Sequence, residues 1–479
     1  MRSLRLPIFA DNYTCDCWDF ASYPRPRAAS EFGWQSYSSL PSLAELVEPS
    51  EWSWWSPSIL RRDTHPSQPP ETILFKNVGD NWRVPGYDPR GASPLDPVAR
   101  TNRLTGRASS VAATARAANA TSRAYLQRPD GSFILPTDAL GIPAMLAGAP
   151  GGVVGGATFF DQVLLSQFSH AACLATEAEH YRRSQSDATG GGGGTMVSLY
   201  WMAADFWPGA TKGSIEWSGR WKASHYAAKN RFHSPFIVSV SMRPLNATGL
   251  TPAETPLSVY VAAHAPADGP VPSGLVELTC WSWGQSAVLG RVDAPFSVGQ
   301  WPAWPPGSSS GVSAGGTMAV WNSTLAATLA ACGAGASALA DVVVSVAAYN
   351  GSTAADPLLA RNWLFPVSLN KVTTMRDPGL AISDVVGVPG SPGAFDVVLR
   401  AQNLPVAAVW LESLLCCGSF DDNAFLLTES PRTIRYTPRA DARGWAHAPA
   451  PGSETLVSEG QFAASLSVVS LADTANYAP

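Results

Sequence analysis

The chain has 479 residues, enough for about two to four domains with substantial cores. Its net charge of −5 gives no electrostatic case for binding nucleic acid. Seven cysteines spread over this length form neither a dense disulfide framework nor a zinc pattern, and the sequence alone dictates no pairing among them.

The opening segment has basic residues but too short an apolar run for a signal peptide. From Pro24 small and apolar residues run into Glu31, and Phe32-Gly33-Trp34-Gln35 follows at once. This predicts a strand ending at its acid, then a tight turn. A short helix is expected around Ser42 to Val47, then a loop carrying Trp52, Trp54 and Trp55 as far as His65. Residues 86 to 157 are rich in Ala, Gly, Arg and Pro without sustained periodicity, which fits an inserted surface loop. Ala139 to Phe160 is uncharged, but eight Gly or Pro residues interrupt it, so no membrane-spanning helix is predicted.

Phe159 to Gln185 has helical apolar spacing. Within it Glu177, Glu179, Arg182 and Arg183 stand at spacings expected to give ion pairs on a helix surface. Gly190 to Gly194 is a connector, since no Lys-Ser/Thr follows to make a phosphate loop. Met196 to Trp201 predicts a buried parallel strand, and Gly219 to Phe232 a helix. From about His233 the apolar-polar alternation of FIVSVSM, SVYVAAH, DVVVSVAAY and FDVVLRAQ is β-sandwich patterning. A break between Ser368 and Ala381 divides it in two.

Several motifs together resemble the β-mannosidases of glycoside hydrolase family 2. Asp16-Cys17-Trp18, then Pro24-Arg25-Pro26-Arg27, then Ser30-Glu31-Phe32-Gly33-Trp34-Gln35-Ser36 is similar to that family's nucleophile segment. TEAEHYRRSQSD, SLYWMAADFW, GRWKASHYAAKNRF and FDDNAFLLTESPRTIRY follow in the family's order. The resemblance implies the C-terminal part of a (β/α)8 TIM barrel followed by two immunoglobulin-like β-sandwiches. The corresponding domains are residues 1–232 (with 86–157 inserted), 233–372 and 373–479.

The resemblance also implies a retaining exo-β-mannosidase that removes terminal, non-reducing β-D-mannose from oligosaccharides. Glu31 would be the nucleophile, with Trp201, Trp34, Trp18 and Trp207 as substrate-binding candidates. A core-packing role stands beside the sugar-binding one for each of these tryptophans. Retaining glycosidases use two carboxyl groups about 5–5.5 Å apart. The family's acid/base Glu lies well upstream of the nucleophile, and no such motif occurs among the 30 residues before Glu31. Met202-Ala203-Ala204-Asp205 departs from the family's Gln-Leu-Asn-Asp, so Ala204 removes an amide from the sugar end of the barrel. Asp205 is expected to orient the following loop.

No metal or cofactor is implied, and the expected partners are β-mannoside oligosaccharides, with neither nucleic acid nor membrane. Five Asn-x-Ser/Thr sequons, at Asn12, Asn119, Asn246, Asn322 and Asn350, suit the secretory route. The full-length protein would be lysosomal, vacuolar or secreted. Two other readings stand beside the enzyme: an inactive sugar-binding or assembly protein derived from a β-mannosidase, and a sibling activity on galactosides, glucuronides or glucosaminides. Part of a barrel is also expected to expose an unpaired strand edge.

Overall fold

The computed structural model describes residues 15–44, 47, 59, 62, 70–84, 156–185, 194–264, 273–297, 315–413, 418–439 and 457–474. The Trp52–Trp55 cluster, His65, and the expected insertion up to residue 155 lie outside these. The chain divides into two compact units. One comprises Met1–Gly33, Ala171–Trp201 and Ala227–Arg376; the other comprises Trp34–His170, Met202–Tyr226 and Asp377–Pro479.

In the first unit, β1 (Ala28–Phe32) and β2 (Val197–Tyr200) pair in parallel. Parallel neighbours need a long crossover, and the connection between them contains the helix Gly156–Arg183. Ala29 and Phe32 of β1 pack with Leu174, Ala178 and Tyr181 of that helix and with Ala228. Phe32 makes edge contacts with Tyr181 at 5.2 Å and with Phe232 at 5.8 Å.

The parallel strand expected at Met196 to Trp201 is present, but it is not buried. Met196 is 69%, Leu199 57% and Trp201 53% exposed. Parallel strands are normally covered on both faces, whereas among the described residues this sheet has two strands only. The apolar run reported the strand's chemistry, not what covers it.

The last turns of the long helix bring a second correction. Glu177, Glu179, Arg182 and Arg183 are all buried rather than on a helix surface. The spacing did give a pair, Arg183 to Glu179 at 3.8 Å. Around it Glu179 accepts from the Ser239 hydroxyl at 2.8 Å and the Asn362 amide at 2.9 Å, with the Arg231 guanidinium at 3.6 Å. Arg182 donates to the carbonyls of Phe232, Ser234 and Ala262. Buried charges persist only when paired and hydrogen-bonded, and this cluster supplies both.

Ser239 and Asn362 belong to the sandwich that the alternation predicted. One sheet orders β3 (Phe236–Met242), β4 (Pro256–His264) and β7 (Gly315–Thr324). The other orders β6 (Ala287–Phe296), β5 (Gly274–Ser282), β8 (Val342–Tyr349) and β9 (Leu358–Leu364). Every second residue points inward, so Val238, Val259, Val261, Leu278, Val344 and Val346 share one core.

Two disulfides, for which the sequence dictated no pairing, lie in this unit. Cys280–Cys332 sits inside the sandwich core, and Cys17–Cys173 ties the approach to β1 to the long helix. Among the described cysteines, Cys15 is in no disulfide.

The second unit contains a smaller sandwich. β10 (Ala381–Gly387), β11 (Phe395–Arg400), β15 (Arg432–Pro438) and β13 (Gly418–Phe420) form one sheet. β14 (Phe425–Leu427), β12 (Val406–Ser413) and β16 (Leu466–Val469) form the other. Phe462 stacks on Phe395 at 4.3 Å and against Tyr436 at 4.4 Å. Its short helix, Glu459–Ser465, starts at a Ser458–Gln461 capping box. Among the described residues no helix is long and apolar enough to cross a membrane.

Candidate active site

Glu31 lies one residue before the end of β1, partly exposed between exposed Ser30 and buried Phe32. The register explains how an acid comes to flank a core phenylalanine. Ala29 pairs with Ser198 and Phe32 with Tyr200, so three steps along β1 match two along β2. That is a β-bulge at Ser30-Glu31, a device that re-aims side chains and recurs beside active sites. Nothing in the sequence signalled it.

Trp201 follows β2 directly. Its backbone N–H donates to the Phe32 carbonyl at 2.6 Å, carrying the ladder one residue past the strand. Glu31 and Trp201 therefore stand at the carboxyl ends of two hydrogen-bonded parallel strands, where ligands bind in barrels and open α/β sheets. Trp18, half-buried, stacks on Phe365 with ring centroids 5.9 Å apart, and its backbone N–H donates to the Asp16 carboxylate at 2.9 Å. The neighbouring Cys17–Cys173 bridge fixes this segment in place.

The remaining sequence-derived candidates belong to the second unit. Trp34 is buried, with 2% of its surface exposed. Trp207 is 44% exposed, and its indole N–H donates to the Arg62 carbonyl at 2.9 Å. Asp205 pairs with Lys222 at 2.7 Å, both side chains wholly buried, and accepts from the Thr211 hydroxyl. A Cβ on Gly213 would lie 1.8 Å from its Oδ1, so glycine is required there. Asp205 thus holds the loop Met202–Ser214 in shape, the role its sequence context suggested. Ala204 is exposed and bridges to Ile215.

Sequence reasoning missed a second group of carboxylates in this unit. Glu216 is sealed from solvent and accepts from the Ser39 N–H at 2.7 Å, the Ser39 hydroxyl at 2.9 Å and the Ser42 hydroxyl. Glu412 on β12 is also buried, and its pKa is pushed up to about 7. Burial is the chief cause and the Glu216 charge adds to it, while Arg220 and hydrogen bonds from Trp410 and Ser39 oppose. No spacing motif marks either residue, because the pair forms only when distant segments fold together. Their burial leaves no room for a sugar. Among the described residues no three His, Cys, Asp or Glu side chains group to hold a metal ion.

Residues 375–474 match the Ig-fold domain model named Ig_mannosidase. The chain is 24% identical over 430 residues to the β-mannosidase of Bos taurus, an alignment covering 89% of this chain and 37% of that protein. It is 26% identical over 226 residues to the Mus musculus β-mannosidase, covering 47% and 18%. Its fold resembles the crystal structure of a β-D-mannosidase from Dictyoglomus thermophilum. The TM-score is 0.55 at 13% identity, covering 95% of this chain and 38% of that one. The chain therefore spans well under half the length of the first two relatives. Together these matches bear out the resemblance to the C-terminal region of the family 2 β-mannosidases.

Proposed function

We propose that this chain is the C-terminal part of a retaining exo-β-mannosidase, with Glu31 as its nucleophile. The observation that carries the reading is the bulged end of β1, which sets Glu31 beside Trp201 at the carboxyl ends of paired parallel strands. In the proposed assembly β1 and β2 are two strands of a (β/α)8 barrel within residues 1–232, and residues 233–372 and 373–479 are its two sandwich domains. The acid/base carboxyl comes from a segment outside this sequence.

The Glu31 carboxylate attacks the anomeric carbon of a terminal β-mannoside as the glycosidic oxygen takes a proton from the acid/base. The resulting glycosyl-enzyme is hydrolysed by water, so configuration is retained. Trp201, half exposed, offers an indole face to the apolar face of the mannose ring in subsite −1. Trp18, braced by Phe365 and the disulfide, forms part of the rim. Two disulfides suit an oxidising compartment, which supports a lysosomal, vacuolar or secreted protein. The matches do not favour the inactive sugar-binding reading.

The test is hydrolysis of an aryl β-mannoside and an aryl β-galactoside by the protein purified from its source cells. Faster mannoside cleavage, abolished by Glu31→Gln in the same full-length polypeptide, is the expected result. Galactoside preference, or full activity in Glu31→Gln, defeats the proposal.

A further inference from the structure

We propose that Asn246, Asn322 and Asn350 carry N-linked glycans. Each heads an Asn-x-Ser/Thr sequon (Asn246-Ala247-Thr248, Asn322-Ser323-Thr324 and Asn350-Gly351-Ser352). All three asparagines are exposed, and all lie on the first sandwich. The asparagines that anchor structure lie outside sequons. Asn362 donates to Glu179 and to the Val238 carbonyl, Asn423 to the Leu411 carbonyl, and Asn403 to the Asp377 carbonyl.

The local settings can take a bulky group. Asn246 sits in the single helical turn Leu245–Thr248, closed by Gly249 in the left-handed conformation. Asn350 begins the turn between β8 and β9, closed by its own N–H donating to the Pro357 carbonyl. Asn322 lies on β7, an edge strand of its sheet among the described residues. A glycan there would also block edge-to-edge pairing with another chain, the hazard that exposed edges carry.

The disulfides supply the independent observation. Cys280–Cys332 closes a loop containing Asn322 within the same sandwich, and such bridges persist in the oxidising compartments where these sequons are modified. In the reaction the Asn Nδ2 attacks C1 of a lipid-pyrophosphate-linked oligosaccharide. An N–C bond forms, the C1–O bond to the pyrophosphate breaks, and one amide proton is released.

The experiment is peptide mapping of the protein from its source cells after enzymatic glycan release in heavy-oxygen water, which converts each occupied Asn to isotope-marked Asp. The expected result is marked Asp at 246, 322 and 350, and a one-step gain in gel mobility for each Asn→Gln substitution. Unmodified Asn at a position overturns the proposal for that position. Glycosylation does not depend on the catalytic reading, so an occupied but inactive protein would sink that reading alone.

Discussion

The backbone N–H of Trp201 donates to the carbonyl of Phe32 at 2.6 Å, while the Phe32 side chain is wholly buried against Tyr181 and Phe232. One residue thus fixes the end of β1 in two directions, holding the peptide that carries Glu31 level with Trp201. Truncating it and neutralising its neighbour should have separable effects. Phe32→Ala removes a core aromatic and should cost about 3–5 kcal/mol in chemical denaturation. Glu31→Gln, at a partly exposed position, should change stability by less than about 0.5 kcal/mol.

The cluster around Glu179 predicts a large effect at a distance from Glu31. Glu179→Ala leaves the Arg183 and Arg231 guanidiniums buried without their carboxylate, and should destabilise by about 3–5 kcal/mol. Asn362→Ala removes one hydrogen bond to that carboxylate and should cost about 1–3 kcal/mol. Denaturant midpoints on the two variants check the order. Equal small losses would mean that the cluster is solvated.

Glu412 predicts a pH dependence with a definite sign. Its folded pKa of about 7 lies above the ordinary carboxyl value of 4.5. Between those values the folded protein keeps a proton that the unfolded chain has released. The contribution is therefore fully present below the ordinary value and is lost as pH rises through about 7, amounting to roughly 3 kcal/mol. Glu412→Gln should flatten that part of the curve. The readout is the difference between wild type and variant in unfolding free energy at about pH 4.5 and about pH 8. A wild-type curve parallel to that of the variant would contradict the assignment.

The Cys17–Cys173 bridge spans a sequence separation of 156. On the chain-entropy model, closing so long a loop contributes about 4–5 kcal/mol. Replacing both cysteines by serine should lower thermal stability accordingly. It should also loosen the Trp18 segment, measured as faster amide exchange around Asp16 to Asp19.

Elements with a strong local signal were legible. The alternation of Phe236–Met242 and Val342–Tyr349 gave strands, and the spacing of Phe160, Val163, Leu164 and Phe168 gave a helix. The Glu31 segment was legible through its resemblance to a family motif. What failed depends on what packs over an element. The Val197–Tyr200 run looked like a buried strand and is exposed, while Glu179 and Arg183 looked like surface charges and are buried. The bulge at Ser30-Glu31, the cysteine pairing and the meeting of Glu216 with Glu412 each need two distant segments, and no single window of sequence contains both.

The most direct test of the central claim is covalent trapping of the full-length protein from its source cells. A 2-deoxy-2-fluoro-mannosyl fluoride slows hydrolysis of the glycosyl-enzyme, so the labelled peptide can be isolated and sequenced. The account predicts a single labelled site at Glu31, with no labelling of Glu31→Gln. A mannosyl label on any other carboxylate, or mannoside hydrolysis that proceeds with Glu31 unlabelled, would contradict it.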